Sequence, residues 1–245
     1  NIGLRLYSQK ENLYRVLVTN RVDSTMILDG FTVTGANAND DQPIFINGGG
    51  LRNNTSAAVF RNIIFKNNFA RTGGAVSNAN SNTRFESCTF SNNIVDGSGG
   101  AMFNEQQSNI RISNSSFLGN RSEYIDHGGS GGAIYTHNSS SLNIDNSHFD
   151  NNFSYNNAGV LTIAGPIDSN WVIQNSTFTN NGSRASGGVL FLANQANGTF
   201  QNCIFNNNYA KNGGAVVMSD RTSFVNCEFV GNEAEEKGGA LYLFF

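Results

Sequence analysis

Acid–base and nucleophilic groups are sparse along these 245 residues, with three histidines, three cysteines and 18 carboxylates. The best-spaced set is His148 and Asp150, two apart in SHFD. On a strand that spacing puts both on one face, as a general base and the carboxylate orienting it require. His137 stands on a neighbouring segment, and Asp126 and His127 adjoin Tyr124 in the stretch RSEYIDHGGS. The chemistry these would support is hydrolysis or elimination on a polysaccharide, with Tyr124 and Trp171 as stacking platforms for sugar rings. The plainer reading is that they are exposed polar residues with no chemical role, and lone aromatics at loop edges are ordinary packing.

The remaining reactive groups point nowhere specific. Cys88, Cys203 and Cys227 form no Cys-x-x-Cys and no Cys/His metal spacing. They read as small apolar filler, although Cys203 and Cys227 stand one repeat apart, where a bridge is geometrically open. Glu233, Glu235 and Glu236 read as a solvated loop rather than a metal site. No Gly-x-Gly-x-x-Gly or Walker lysine accompanies the paired glycines, so no phosphate site, metal or other cofactor is expected.

The elements that must position these residues come from a repeat. Phe-x-x-Asn recurs at Phe65, Phe90, Phe117, Phe149, Phe178, Phe205 and Phe229, at intervals of 24 to 32 residues. After each comes a small pair and an apolar run: Gly73-Gly74, Gly99-Gly100, Gly131-Gly132, Ala158-Gly159, Gly187-Gly188, Gly213-Gly214 and Gly238-Gly239. Such periods signal a solenoid. The segments are short, rich in Asn and Gly, and alternate apolar with polar, so they are strands rather than helices.

Within each unit the Phe column and the Ser/Cys column two residues before it face inward, and the residues flanking Phe face water. A further apolar column (Phe60, Phe85, Ile112, Ile144, Ile173, Phe200, Phe224) is out of phase by one, which requires a bend at the intervening Asn. Asn tolerates the left-handed backbone such a bend needs. Stacked amides at Asn62, Asn114, Asn146, Asn175, Asn202 and Asn226 are therefore expected to form an internal ladder at a corner. The paired glycines mark another corner, where stacked backbones approach closely.

The resulting expectation is an all-β, single-stranded parallel β-helix of about eight coils. It is right-handed by the general preference of parallel strand connections. Residues 1–59 form irregular N-terminal coils and 60–245 the regular repeats of one continuous domain. The step from Asn120 to Gly131 is eleven where five or six is usual, so Arg121 to Ser130 is an inserted loop; Ala164 to Asn170 is a smaller excess.

Composition agrees with an elongated exterior of uncharged polar groups. Charged residues are 13%, about half the usual ~25%, and Asn occurs 40 times. A net charge of -3 with 15 scattered Lys and Arg gives no basic stripe for nucleic acid. No apolar run approaches the ~18 residues of a transmembrane segment.

The pairing of Phe-x-x-Asn with Gly-Gly-Ala-[Ile/Leu/Val], as in Phe117 to Asn120 with Gly131-Gly132-Ala133-Ile134, resembles the repeats of the chlamydial polymorphic membrane proteins. It is also similar to the wider set of right-handed β-helix repeat proteins of bacterial surfaces, and the likeness covers roughly residues 60 to 245. The resemblance implies a secreted or cell-surface protein, often an autotransporter passenger and in many cases an adhesin, here toward a host or neighbouring cell surface or a glycan. The regular, weakly charged exterior with no aligned carboxylate pair favours a non-enzymatic adhesin or stalk. The chain ends in mid-strand on Leu241, Leu243 and Phe245, so it is expected to be a piece of a larger surface protein or to stack end to end on itself as a filament. A pectate-lyase-like polysaccharide lyase or glycoside hydrolase is the competing expectation.

Overall fold

The computed structural model describes residues 15–38, 47–123, 129–138, 140–164, 170–192, 196–218 and 222–244. These residues form strands, joined by turns and bends. The strands pair in parallel, each with the equivalent strand one coil away, into four sheets that we call A to D in the order the chain visits them. Among the described residues, sheet A has nine strands and the others eight. This is the parallel β-helix expected from the repeat. One full coil runs Ile134–His137 in A, Ser141–Asp145 in B, His148–Asp150 in C and Phe153–Ser154 in D.

Backbone conformation at the corners explains the sequence of each coil. Between B and C the turn residue is left-handed at Asn62, Ser87, Asn114, Asn146, Asn175, Asn202 and Asn226, with φ between 45° and 54°. Between C and D the same role falls to Asn67, Asn92, Asn151, Asn180 and Asn207, with Gly35, Gly119 and Gly231 in other coils. The bend inferred from the out-of-phase apolar column is thus present, and one left-handed residue suffices to shift the strand by one side-chain position.

Between D and A the paired glycines divide two tasks. Gly99 is left-handed at φ 71°, where a Cβ would lie 2.2 Å from the Met102 carbonyl oxygen of its own turn, whereas a Cβ on Gly100 would lie 2.1 Å from the Gly132 carbonyl oxygen of the next rung. No side chain fits between rungs there.

The interior is aromatic along the file of motif phenylalanines. Phe65, Phe90, Phe117, Phe149, Phe178 and Phe205 are buried, and successive rings stack with centroids 4.5 to 5.1 Å apart. Phe229 extends the stack at 4.5 Å but is half-buried on the last coil. Each inward Phe stabilises the coil by about 1.5 to 3 kcal/mol through burial, with offset stacking adding to it.

The expected ladder is corrected in one respect. Asn62, Asn114, Asn146, Asn175, Asn202 and Asn226 lie on the outer surface, exposed. Several do bond in series, with Asn146 Nδ2 donating to Asn114 Oδ1 (2.7 Å) and Asn202 Nδ2 to Asn175 Oδ1 (3.1 Å). A left-handed residue at an outward bend turns its Cβ toward solvent, so the corner that needs Asn for its backbone cannot bury the amide.

The internal ladder is built instead by the Asn of Phe-x-x-Asn: Asn68, Asn93, Asn120, Asn152, Asn181 and Asn208, with Asn232 half-buried at the end. Asn152 shows the pattern. Its Nδ2 donates to Asn181 Oδ1 (3.0 Å) and to the Phe117 carbonyl (2.9 Å), and its Oδ1 accepts from the Asn120 backbone N–H (3.0 Å) and Nδ2 (2.9 Å). Every polar atom of a fully buried amide is thereby satisfied. A second inner file joins Asn53, Asn78, Asn104 and Thr136 in sheet A.

The inserted loop is also narrower than its count suggested. Arg121–Ser122 form a strand of sheet D, paired with Ile94-Val95 and Phe153–Ser154, because they continue the rung before the extra residues begin.

Candidate functional site

His148 and Asp150 project from one strand of sheet C on either side of the buried Phe149, as alternation requires. Both are tied to the next coil. His148 Nδ1 lies 2.6 Å from Thr177 Oγ1, and Asp150 Oδ1 accepts a hydrogen bond from Asn180 Nδ2 at 3.1 Å. His148 borders an open groove of about 250 Å³ shared with Asn114, Asn146 and Asn175. His137 ends a strand of sheet A, where Glu105 and Tyr135 are its neighbours. Burial raises the Glu105 carboxyl above its ordinary range, with Arg52 and His137 pulling it back. His137 and the His148–Asp150 pair thus occupy different sheets and do not converge.

Trp171 is not at a loop edge. It is 2% exposed, faces the interior from the strand Asn170–Gln174, and meets Phe200 edge-on at 5.1 Å. It continues the inward column of Ile110 and Leu142, and its indole covers Gly198 on the next rung, where a Cβ would lie 1.7 Å from Cε2. Tyr124, Asp126 and His127 lie outside the described residues, as does Phe245.

The three cysteines are free thiols in the inward column. Cys203 Sγ donates to the Gln201 carbonyl (3.4 Å) and Cys227 Sγ to the Val225 carbonyl (3.4 Å), so the two stacked thiols are each satisfied without bonding covalently. Burial pushes the Cys88 and Cys203 thiols up to about 11, which suits filler rather than a nucleophile. Among the described residues no three His, Cys, Asp or Glu converge to hold a metal ion. No helix there is long and apolar enough to cross a membrane.

Two outer faces carry clusters that the sequence reading passed over. On sheet D the residue after each ladder Asn points outward: Phe69, Ile94, Arg121, Phe153, Gly182 and Tyr209 fall in register. The Arg121 guanidinium lies 5.0 Å from the Phe153 ring centroid, and Arg184 lies 4.2 Å from that of Tyr155. Tyr209, 46% exposed, leans over Gly182. On sheet B, Arg84, Glu86, Arg111, Asn143, Asp145 and Gln174 border a groove of about 350 Å³. Both clusters sit at fixed offsets from motif residues, the row on sheet D directly after the ladder Asn and the sheet B residues three or one before the corner residue, so aligning those columns of the coils would have exposed them.

No curated protein and no solved structure shows significant similarity to the chain. The family model described as right handed beta helix region matches residues 22–234, most of the span over which the four sheets wind. The chain therefore belongs to the right-handed β-helix family.

Proposed function

We propose that this chain is a non-enzymatic extracellular β-helix, an adhesive stalk within a larger surface protein, in keeping with its resemblance to the chlamydial polymorphic membrane proteins. The observation that carries the reading is the outward row on sheet D. Arg121 and Arg184 lie against Phe153 and Tyr155, and Tyr209 extends the same surface. Exposed Tyr and Arg on a rigid sheet are the residue types that dominate binding energy at interfaces. His148 and Asp150, by contrast, are engaged by Thr177 and Asn180.

A polysaccharide-cleaving enzyme is the second reading, favoured by the groove on sheet B, which Glu86 and Asp145 border. The two readings separate in one experiment. The chain is incubated with a panel of glycans and intact cells, and both retention and release of new chain ends are measured. Retention without cleavage, lowered by Y155A/Y209A, supports adhesion. Cleavage abolished by His148→Ala, Asp150→Ala or Glu86→Gln overturns it.

A further inference from the structure

The groove on the outer face of sheet B carries an imbalance that the fold does not use. Arg84 and Arg111 are directly opposite on adjacent strands, about 4.8 Å apart along the axis, and both are exposed. Like charges in that arrangement repel and cost stability. No ion pair or side-chain hydrogen bond engages either guanidinium among the described residues. Glu86, an acid bordering the same groove, is instead held by Arg61, whose Nη2 and Nε lie 2.9 and 3.0 Å from Glu86 Oε2. Asp145, the other acid bordering the groove, accepts from Asn175 at 2.8 Å.

The rest of the lining fits a particular partner. Asn143, Gln174 and Ser113 both donate and accept, as sugar hydroxyls do, and Val172, 38% exposed, offers an apolar step. The column Arg84, Arg111, Asn143, Val172 spans four rungs, roughly 14 Å along the axis. The backbone of these strands is consumed by pairing with both neighbours, so an extended peptide would find no edge to add to.

We propose that this groove binds a segment of anionic polysaccharide lying along the axis, with Arg84 and Arg111 each taking an oxyanion, carboxylate or sulfate, in bidentate fashion. Guanidinium is the side chain best matched to either group. The proposal deepens the adhesive reading and rests on it for its biological use.

The test measures binding of the 245-residue chain to a uronate oligomer, a sulfated glycosaminoglycan oligomer, neutral dextran and poly-glutamate, at low and high salt. Binding to either anionic glycan that weakens with salt is expected, the preferred one naming the anion. R84A/R111A should lose about tenfold or more per arginine. K66A/K211A, which removes the same charge elsewhere, should stay within about twofold. Circular dichroism and a melt check that each variant folds. Unchanged affinity in R84A/R111A, or poly-glutamate bound as tightly as the glycans, overturns the proposal. Cell binding then separates the two readings: wild type and R84A/R111A adhering equally removes only the groove, and no adherence by wild type removes the adhesive reading as well.

Discussion

At the scale of single residues, two asparagine files divide labour that looks identical in sequence. Asn152 is buried with four hydrogen bonds, whereas Asn146 is exposed with its amide in a single side-chain bond and its backbone at φ 45°. Asn152→Ala should cost about 3 kcal/mol or more, because it orphans buried donors on Asn120. Asn146→Ala should cost only about 1 kcal/mol, chiefly from the left-handed backbone, and Asn146→Gly close to nothing. Urea melts giving equal losses for Asn152→Ala and Asn146→Ala would reject this assignment. Phe149→Ala, which empties one ring position in the stack, should cost about 3 to 5 kcal/mol. The Phe column was legible because spacing and hydrophobicity agree. The ladder was not, because Asn serves as both amide stack and left-handed turn, and only the direction of Cβ tells them apart. Trp171 was misplaced for a related reason: its inward position needs Gly198 beside it, and that adjacency exists only once register is known. The buried thiols give a pH dependence. Folding keeps Cys88 and Cys203 protonated up to about 11, against an ordinary value of 9.0, so above that value the folded chain holds more protons than the unfolded one. Their contribution is full below about pH 9 and is lost as pH rises toward 11. The C88S/C203S variant, with the serine that fills the column at Ser115, Ser147 and Ser176, should melt with a shallower alkaline decline than wild type. Parallel curves would discount the thiols.

At the scale of elements, the coil is held by its corners as much as by its strands. Many strands are only two or three residues long, too short for propensity to fix them alone. What fixes them is a left-handed residue at the turns into C and D and a glycine pair at the turn into A. Gly187 and Gly188 separate the two demands of that pair. Gly187 is left-handed at φ 72°, and a Cβ there would lie 2.1 Å from the Leu190 carbonyl oxygen of its own turn; the equivalent Ala158 carries a Cβ at φ 53°, so that turn can shift to admit one and Gly187→Ala should cost about 1 to 2 kcal/mol. A Cβ on Gly188 would lie 2.1 Å from the Gly214 carbonyl oxygen, so Gly188→Ala must push neighbouring rungs away from each other and should cost about 3 kcal/mol. Thermal melts in which Gly187→Ala is the more damaging would invert this account. The sequence announces these corners clearly, since paired glycines before an apolar run have few other uses. It does not announce the clusters on sheets B and D, since Arg84 and Arg111 stand 27 residues apart and mean nothing until a coil is closed.

At the scale of the whole molecule, each coil touches only its neighbours, so stability accumulates by stacking and falls where a neighbour is lacking. The last described coil shows this directly. Phe224 and Phe229 stack on Phe200 and Phe205 at 5.3 and 4.5 Å, yet both are only half-buried, as is Leu241, and Leu243 is 47% exposed. A further rung, from the same polypeptide or from a second copy, would cover them. In the 245-residue chain, hydrogen exchange should be fastest in the strands Thr222–Val225 and Glu228–Val230 and slowest in the central coils around Phe117 and Phe149, which are enclosed on both sides. Phe229→Ala should accordingly cost about half of Phe149→Ala, since a ring with one neighbour leaves less burial to lose. If copies stack through this end, raising the concentration should protect the strands of the last coil and increase the scattering mass together. Protection that rises without a change in mass would reject self-stacking. Uniform exchange along the axis would mean that the coils unfold as one unit, and the nearest-neighbour account of this solenoid would fail.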